Sequence, residues 1–139
     1  DKLYSALYAL QYKYPSECEI VQTGFTPYDD CEHFVDGCDV MLDQLYSHSP
    51  GLNALHAMSK GVVVIGGAEE EHYNLLGENK LRPIINVRPE GNDIYDKLED
   101  LLVNKDKISQ LSADGIEYIK KHHCPIKVAK ECLDFWEQN

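Results

Sequence analysis

The sequence lacks any long apolar run and any excess of positive charge. No stretch approaches 18 consecutive apolar residues, and the amino-terminal segment lacks the basic and apolar regions of a signal peptide. With 13 basic residues against 24 acidic ones, the formal net charge is −11. This charge argues against a nucleic acid or an anionic membrane surface as a partner. We therefore expect a cytoplasmic protein that has no transmembrane segment and binds no nucleic acid.

The sequence also lacks a paired cysteine motif. Its five cysteines, at positions 18, 31, 38, 124 and 132, are odd in number and include no C-x-x-C pair. This usage fits reduced thiols in a cytosolic protein better than a disulfide framework. The run His122-His123-Cys124 has metal-ligating side chains, but no second ligand set follows at the spacing of tetrahedral zinc, so we expect no metal.

At 139 residues the chain has the length of one domain. Apolar runs predict four strands alternating with helices, and from Asp93 onward the pattern becomes helical only. The fold class predicted is α/β, a Rossmann-like doubly wound parallel sheet with a helical carboxyl-terminal tail. The predicted strands are 18–21, 40–42, 62–65 and 83–87, and the predicted helices before the tail are 2–14, 27–37, 50–60 and 69–76.

Residues 39–71 contain the strongest local pattern, a strand, loop, helix, strand and glycine-rich turn in succession. Ser49 and Pro50 open the helix, Gly61 ends it, and its apolar positions Leu52, Leu55 and Met58 have helical spacing. The loops of such a unit lie at the carboxyl ends of parallel strands, where open α/β sheets hold ligands.

The turn at Gly66 and Gly67 lets the backbone approach a ligand closely and is expected to offer free amides to an anion. It lacks the spacing of the dinucleotide fingerprint and the lysine of a phosphate loop. Glu69, Glu70 and Glu71 follow in the first helical turn. These carboxylates either accept hydrogen bonds from sugar hydroxyls or complement the helix dipole, and the residues alone leave both readings open.

Residues 50–67, PGLNALHAMSKGVVVIGG, resemble the donor-binding domain of GT-B fold glycosyltransferases of the group 1 type. That family has a Leu-Glu-Ala-Met-Ala helix, a glycine, Pro-Val-Ile, and Gly-Gly followed by Pro-Glu. Residues 55–59, Gly61, residues 63–67 and the three glutamates occupy these places in order. Residues 38–42, CDVML, match the strand before them, and the likeness covers nearly the whole chain.

The resemblance implies that a nucleotide-diphosphate sugar is the donor and that neither a metal nor another cofactor is needed. The implied donor-binding residues are Ser49, Pro50, Gly51, Leu52, His56, Gly66, Gly67, Glu69, Glu70 and Glu71, with His48 in the donor loop. Glu71 is the preferred sugar contact, although the triplet leaves the register open.

The chain departs from the family at His48 and His56, where the retaining branch has two glutamates separated by seven residues. A histidine cannot reproduce the double hydrogen-bond acceptance of a carboxylate from a ribose diol. A metal pair of these histidines is conceivable, but no third ligand is evident.

The family's basic pair for the diphosphate, and its acceptor-binding domain, precede the segment that this chain matches. We therefore expect residues 1–139 to be a single nucleotide-sugar-binding domain, an N-terminally truncated fragment of a two-domain enzyme. The complete protein would transfer a sugar to a glycan or lipid-linked acceptor, as in cell-surface polysaccharide biosynthesis, and the fragment alone would be inactive. A peripheral membrane contact through the missing domain stays open. Lys60, Arg82 and Arg88 are expected to have surface or packing roles.

Two alternatives remain. A degenerate, non-catalytic sugar- or nucleotide-binding module would explain His48 and His56. A receiver-type signalling domain would use Asp43 as its phosphoacceptor, but its acidic pair would have to be Asp29 and Asp30, and the strand at 83–87 does not end in the required lysine.

Overall fold

The computed structural model describes residues 2–24, 27 and 33–138. Within them the strands are β1 (Val40–Leu42), β2 (Val63–Gly66) and β3 (Ile85–Asn86). The helices are α1 (Lys2–Lys13), α2 (33–36), α3 (Leu52–Ser59), α4 (Glu70–Leu75), α5 (Gly91–Val103), α6 (Asp106–His122) and α7 (Pro125–Glu137). The mixed α/β class and the helical tail are thereby confirmed.

The three strands form a parallel sheet in the order β1-β2-β3. Val40 pairs with Val63, and Ile65 pairs with Ile85. All residues of the central strand β2 are buried. Because helices cover both faces of this strand, its sequence is a continuous apolar run rather than an alternating one.

The strand predicted at 18–21 is wrong. These residues have no strand pairing, and Glu19 and Val21 are exposed, while Cys18 packs on the core from a loop. A short apolar segment becomes a strand only where a neighbouring strand accepts its backbone hydrogen bonds. The described residues therefore form a three-stranded sheet with sequential order, without the reversal of strand order that defines a doubly wound sheet.

One face of the sheet packs on α3 and α6. Val62 and Val64 point to this side, where they meet Ala54, Met58 and Tyr118. Gly115 of α6 allows a close helix contact, because a Cβ there would lie 3.6 Å from Cβ of Met58. This layer fixes the position of α3, whose amino end reaches the edge of the sheet discussed below.

The opposite face packs on α1 and α5. Val63 and Ile65 point to this side and join Leu10, Ile94 and Leu98 in a second buried cluster. The helix predicted at 2–14 is confirmed, and α1 buries Ala6 and Leu10 in this layer. Helices on both faces thus enclose the sheet, although its strands run in one sequential order.

Two of the three apolar positions predicted for α3 pack on the core, since Met58 is buried and Leu55 is partly buried against the same cluster. Ala54, Ala57 and Met58 are buried, whereas Leu52 is 84% exposed. Leu52 is the first residue of the helix and lies beyond the layer that covers the sheet, so the helical spacing alone misplaced it. The start of the predicted helix 27–37 lies mostly outside the described residues, and only 33–36 are seen as helical.

Helix α7 is exposed along its whole length. Among the described residues, no helix has the length and apolar character needed to cross a membrane.

Candidate functional site

The candidate site lies where β1 and β2 end. Because the two strands are parallel, residues 43 and 67 leave the sheet at the same end, where the carboxyl ends of the strands lie; this end is called the carboxyl edge of the sheet. The loop 43–50, the first turn of α3 and the Gly66-Gly67 turn therefore meet there. The sequence predicted this meeting, and the contacts below define its geometry.

Gly67 lies directly against the loop. A Cβ at this position would come within 1.6 Å of the carbonyl oxygen of Ser47, so no side chain fits. The Gly67 amide donates to the carbonyl oxygen of Gln44 (3.1 Å), and the Glu69 amide donates to that of His48 (3.0 Å). The close approach predicted for this glycine is present, but it is an approach to the chain's own backbone.

Asp43 connects the three segments. Its amide donates to the carbonyl oxygen of Ile65 (2.8 Å), and its carboxylate accepts the amide of Gly51 at the start of α3 (3.0 Å). Its Cβ would lie 3.2 Å from a Cβ placed on Gly66. No motif in the sequence had assigned Asp43 to the donor site. No local signal was available, because a capping side chain normally belongs to the residue at the helix start, whereas Asp43 reaches the Gly51 amide from the preceding loop.

The amides of the glycine turn already have acceptors. Besides the two backbone bonds above, the Ala68 amide donates to Oδ1 of Asn86 at the end of β3 (3.1 Å). The expectation that this turn offers free amides is therefore wrong for Gly67, Ala68 and Glu69. An anion binding there would have to displace one of these acceptors.

The remaining residues of loop 43–50 differ in their hydrogen bonds and in their exposure. Ser47 donates from its hydroxyl to the carbonyl oxygen of Ser49 (2.6 Å), which closes a tight turn. Pro50 is half-buried, and His48 is exposed. Tyr46 is 86% exposed in the same loop. Together with Leu52 it leaves apolar surface at this edge, and no motif in the sequence had indicated Tyr46.

The two histidines differ in their surroundings. His48 lies in the loop at the carboxyl edge, where its carbonyl oxygen holds Glu69. His56 is half-buried on α3, on the side of Asp36. Lys60 first, and His56 to a smaller extent, hold the pKa of the Asp36 carboxyl below its ordinary value. Among the described residues, no three His, Cys, Asp or Glu side chains are grouped to hold a metal ion.

The three glutamates are distinguished by their contacts. Arg82 binds the Glu70 carboxylate through both terminal nitrogens, at 2.5 and 2.6 Å, and holds its pKa below the ordinary value. Glu69 is half-buried at the start of α4, and Glu71 is exposed. Within the described part of the chain, neither carboxylate is engaged by another side chain. Glu69 and Glu71 therefore remain available to hydroxyl groups of a ligand, and Glu70 is committed to Arg82.

The basic residues occupy separate places. Lys60 pairs with Asp36 (2.5 Å), and the Arg82 guanidinium also lies over the ring of Tyr73, 5.0 Å from its centroid. Arg88 is exposed and follows β3 at the same edge as the glycine turn. Its amide donates to the carboxylate of Asp93 (2.8 Å).

A polar cluster between α4 and α6 was not indicated by the sequence. Glu78 is only 1% exposed, yet its carboxylate accepts bonds from the amides of Lys80 and Leu81 and from the side chains of Lys121 and His122. These donors, His122 foremost, hold the pKa of Glu78 far below its ordinary value. The run 122–124 that suggested a metal thus contributes a donor to a buried carboxylate.

Tyr118 lies beside this cluster. Its ring is fully buried, and burial raises the pKa of its hydroxyl. The hydroxyl lies 2.7 Å from Nε2 of His72. Burial lowers the pKa of His72 and so favours its neutral ring, in which the tautomer decides whether Nε2 donates or accepts this hydrogen bond.

A cavity of about 250 Å³ lies at the opposite end of the sheet, where β1 and β2 begin. Its lining includes Asp39 and Val62, which precede β1 and β2, together with Ser112. It is therefore separated by the length of the strands from Gly67 and the loop 43–50.

Comparisons of the chain with models of known protein families, with curated proteins and with solved structures give no match.

Proposed function

We propose that this chain is the donor-binding half of a GT-B fold glycosyltransferase. The observation that carries the proposal is the joining of loop 43–50, the start of α3 and the Gly66-Gly67 turn at one sheet edge. These are the segments in which the sequence resembles that family, and they lie where open α/β sheets bind ligands.

The sugar of the donor would be held by carboxylates. Glu69 and Glu71 have no competing side-chain partner among the described residues, and each carboxylate accepts hydrogen bonds from hydroxyl groups. Glu70 is less suited because Arg82 occupies both of its oxygens. Tyr46 and Leu52 would supply the apolar surface against which a ring packs.

The diphosphate would be stabilised mainly by positive side chains. The amides of residues 67–69 are committed to internal acceptors, so they contribute less than a free helix terminus does. Arg88 lies at the same edge, and the family's basic pair would come from the segment that precedes this chain. Transfer would then depend on positioning and on charge stabilisation of the leaving diphosphate, without a metal.

In the complete protein, residues 1–139 would be one of two domains. The three strands would belong to a larger doubly wound sheet, and the donor would lie in the cleft between the domains. The acceptor would be a glycan or a lipid-linked sugar bound by the other domain, and the reaction would occur in the cytoplasm. The isolated chain would bind donor weakly and would not turn it over.

A degenerate sugar- or nucleotide-binding module is the second candidate. Two observations favour it, namely the histidines at positions 48 and 56 and the occupied amides of the glycine turn. Both remove groups that an active family member would use on the nucleotide and the diphosphate.

Calorimetric titration with UDP- and GDP-sugars, followed by a turnover assay, tests the proposal on the complete protein. Binding of one donor with turnover supports the enzyme, and binding without turnover supports the degenerate module. Failure of every donor to bind contradicts both. Turnover by the 139-residue chain alone would contradict the assignment of this chain to the donor half.

A further inference from the structure

Three histidine rings surround the buried ring of Tyr118 at the carboxyl end of α6. The ring centroids of His122 and His123 lie 5.2 and 5.4 Å from that of Tyr118, and the ring of His72 on α4 lies 6.4 Å from it. The side chain of His122 is 7% exposed. Nε2 of His123 is buried without a hydrogen-bond partner in the described part of the chain. These four residues are called the histidine cluster below.

The carboxylates beside the histidine cluster are already paired with bases. Glu78 binds Lys121 and His122, each at 2.6 Å, and Arg82 holds both oxygens of Glu70. The charged and titratable groups that face the cluster are Glu70 and Tyr73 on α4, Glu78 and Arg82 in the loop after it, Lys121 on α6 and Lys127 at the start of α7. A further positive charge within the cluster therefore meets no unpaired carboxylate among these groups.

The cluster fastens residues 69–82 to α6. This range, called the α4 segment below, comprises the turn into α4, α4 itself and the loop after it. Nε2 of His72 lies 2.7 Å from the hydroxyl of Tyr118, and the Glu78 carboxylate reaches α6 through the bonds given above. Tyr73 adds a buried contact. The side-chain bonds that hold the α4 segment on α6 thus involve groups whose charge changes with pH.

Protonation of His72 and His123 favours the release of the α4 segment. Burial, followed by the charge of His122, holds the pKa of both histidines below the ordinary value of 6.5. A histidine that becomes exposed recovers the ordinary value, so it binds a proton more readily in an open form than in the closed one. Opening is therefore favoured as the pH falls below 6.5, by as much as about tenfold per pH unit for each histidine. Glu78 adds a similar effect only below its ordinary pKa of 4.5.

We propose that the histidine cluster is a pH-sensitive contact, which holds the α4 segment on α6 at neutral pH and shifts it towards an open form in mild acid. The strand β2 and the helix α5 contain no histidine, so their packing has no such group in this pH range. Helix α4 begins with Glu70 and Glu71, so opening would also lower the affinity of the candidate site for a donor. That consequence alone rests on the proposed function.

Hydrogen exchange of the 139-residue chain, followed by NMR at pH 7.5 and pH 5.5, measures the opening. The amides of Lys80 and Leu81 are the reporters, because the Glu78 carboxylate accepts both in the closed form and a released six-residue helix does not persist. Protection factors remove the intrinsic pH dependence of exchange. We expect protection at these amides to fall by at least about tenfold at pH 5.5, while the amides of Val63 and Asp43, which bond within the sheet, change by less than about twofold.

Replacing both partly buried histidines should abolish the response. The double variant His72→Gln with His123→Gln removes the titrating rings, and a glutamine amide can still bond to the Tyr118 hydroxyl. Protection of its reporter amides should change by less than about twofold between the two pH values. The matched control is His33→Gln, at an exposed histidine of α2, which should keep the full response.

The single variants keep the test decisive if circular dichroism shows that the double variant is unfolded. His72→Gln and His123→Gln should each retain about half of the response on a logarithmic scale, because each leaves one titrating ring in place.

Three results would overturn the proposal. The first is equal protection of Lys80 and Leu81 at the two pH values in the unmodified chain. The second is a full response in the double variant or in both single variants, because the titrating group would then lie elsewhere. The third is a matching fall at Val63, which would mean that the whole chain unfolds. Since no nucleotide sugar is used, these outcomes are independent of the proposed function.

Discussion

Gly67 and Ser47 are in such close contact that a Cβ on the glycine would lie 1.6 Å from the carbonyl oxygen of the serine. The contact joins the turn after β2 to the loop after β1, and the bond from the Gly67 amide to Gln44 fixes it. The shape of the candidate functional site thus depends on position 67 having no side chain.

Gly67→Ala should destabilise the chain by about 3 kcal/mol, because the methyl group must displace the backbone of the loop. Urea unfolding measures the loss. Gly37→Ala is the control, since a Cβ there meets nothing within 4 Å. Equal unfolding midpoints for the two variants would show that the loop moves aside freely and would contradict this packing.

Asp43→Ala should cost about 1 kcal/mol, because α3 loses the carboxylate that accepts the Gly51 amide. Asp43→Asn keeps an acceptor oxygen and should recover most of the loss in the same urea measurement. The committed carboxylate also leads us to expect no labelling by acetyl phosphate. A stable aspartyl phosphate at Asp43 would instead revive the receiver-domain alternative.

Glu78→Gln should lower stability at neutral pH and flatten its dependence on acid. The pKa of Glu78 is held below its ordinary value of 4.5, so the native state takes up fewer protons than the unfolded state below that pH. The stability from this carboxylate is therefore present above pH 4.5 and is lost as the pH falls further.

Urea midpoints from pH 7 to pH 3 check the expectation for Glu78. Glu70→Gln is the matched control, because its ion pair with Arg82 is exposed and should matter less. If the stability of Glu78→Gln falls with decreasing pH as steeply as that of the unmodified chain, the buried carboxylate does not have this role.

His72→Phe should cost about 1 kcal/mol at pH 8, because the buried Tyr118 hydroxyl loses its hydrogen-bond partner. The deficit should shrink as the pH falls below 6.5. Burial lowers the pKa of His72, so the unmodified chain loses stability there when the unfolded histidine binds a proton and the native one resists it. Urea unfolding between pH 8 and pH 5 gives the difference, and a constant deficit would refute the argument.

Glu71→Ala should reduce turnover of the complete protein by about 100-fold or more if this carboxylate holds the donor sugar. Glu70→Ala is the comparison, because that carboxylate is bound by Arg82 and its loss should act mainly on stability. The measurement is kcat/KM together with the unfolding midpoint of each variant. Near-normal turnover of Glu71→Ala would move the sugar contact to Glu69 or remove it from this triplet.

Local patterns in the sequence determined most of the elements. The runs at 40–42 and 62–65 became neighbouring parallel strands, and of the predicted carboxyl-terminal helices α5 and α6 each bury one side. These predictions held because burial on both sides of a parallel strand, or on one side of a helix, leaves a periodic signal in the chain.

Contacts between distant segments were decided only by the tertiary structure. Residues 18–21 have a strand-like composition but no strand beside them, and Leu52 has helical spacing but lies past the covered face. Distant segments likewise decide which acceptors the amides of residues 67–69 have and whether Glu78 is buried. Pairing and burial depend on what packs against a residue, and that information is not local to its sequence.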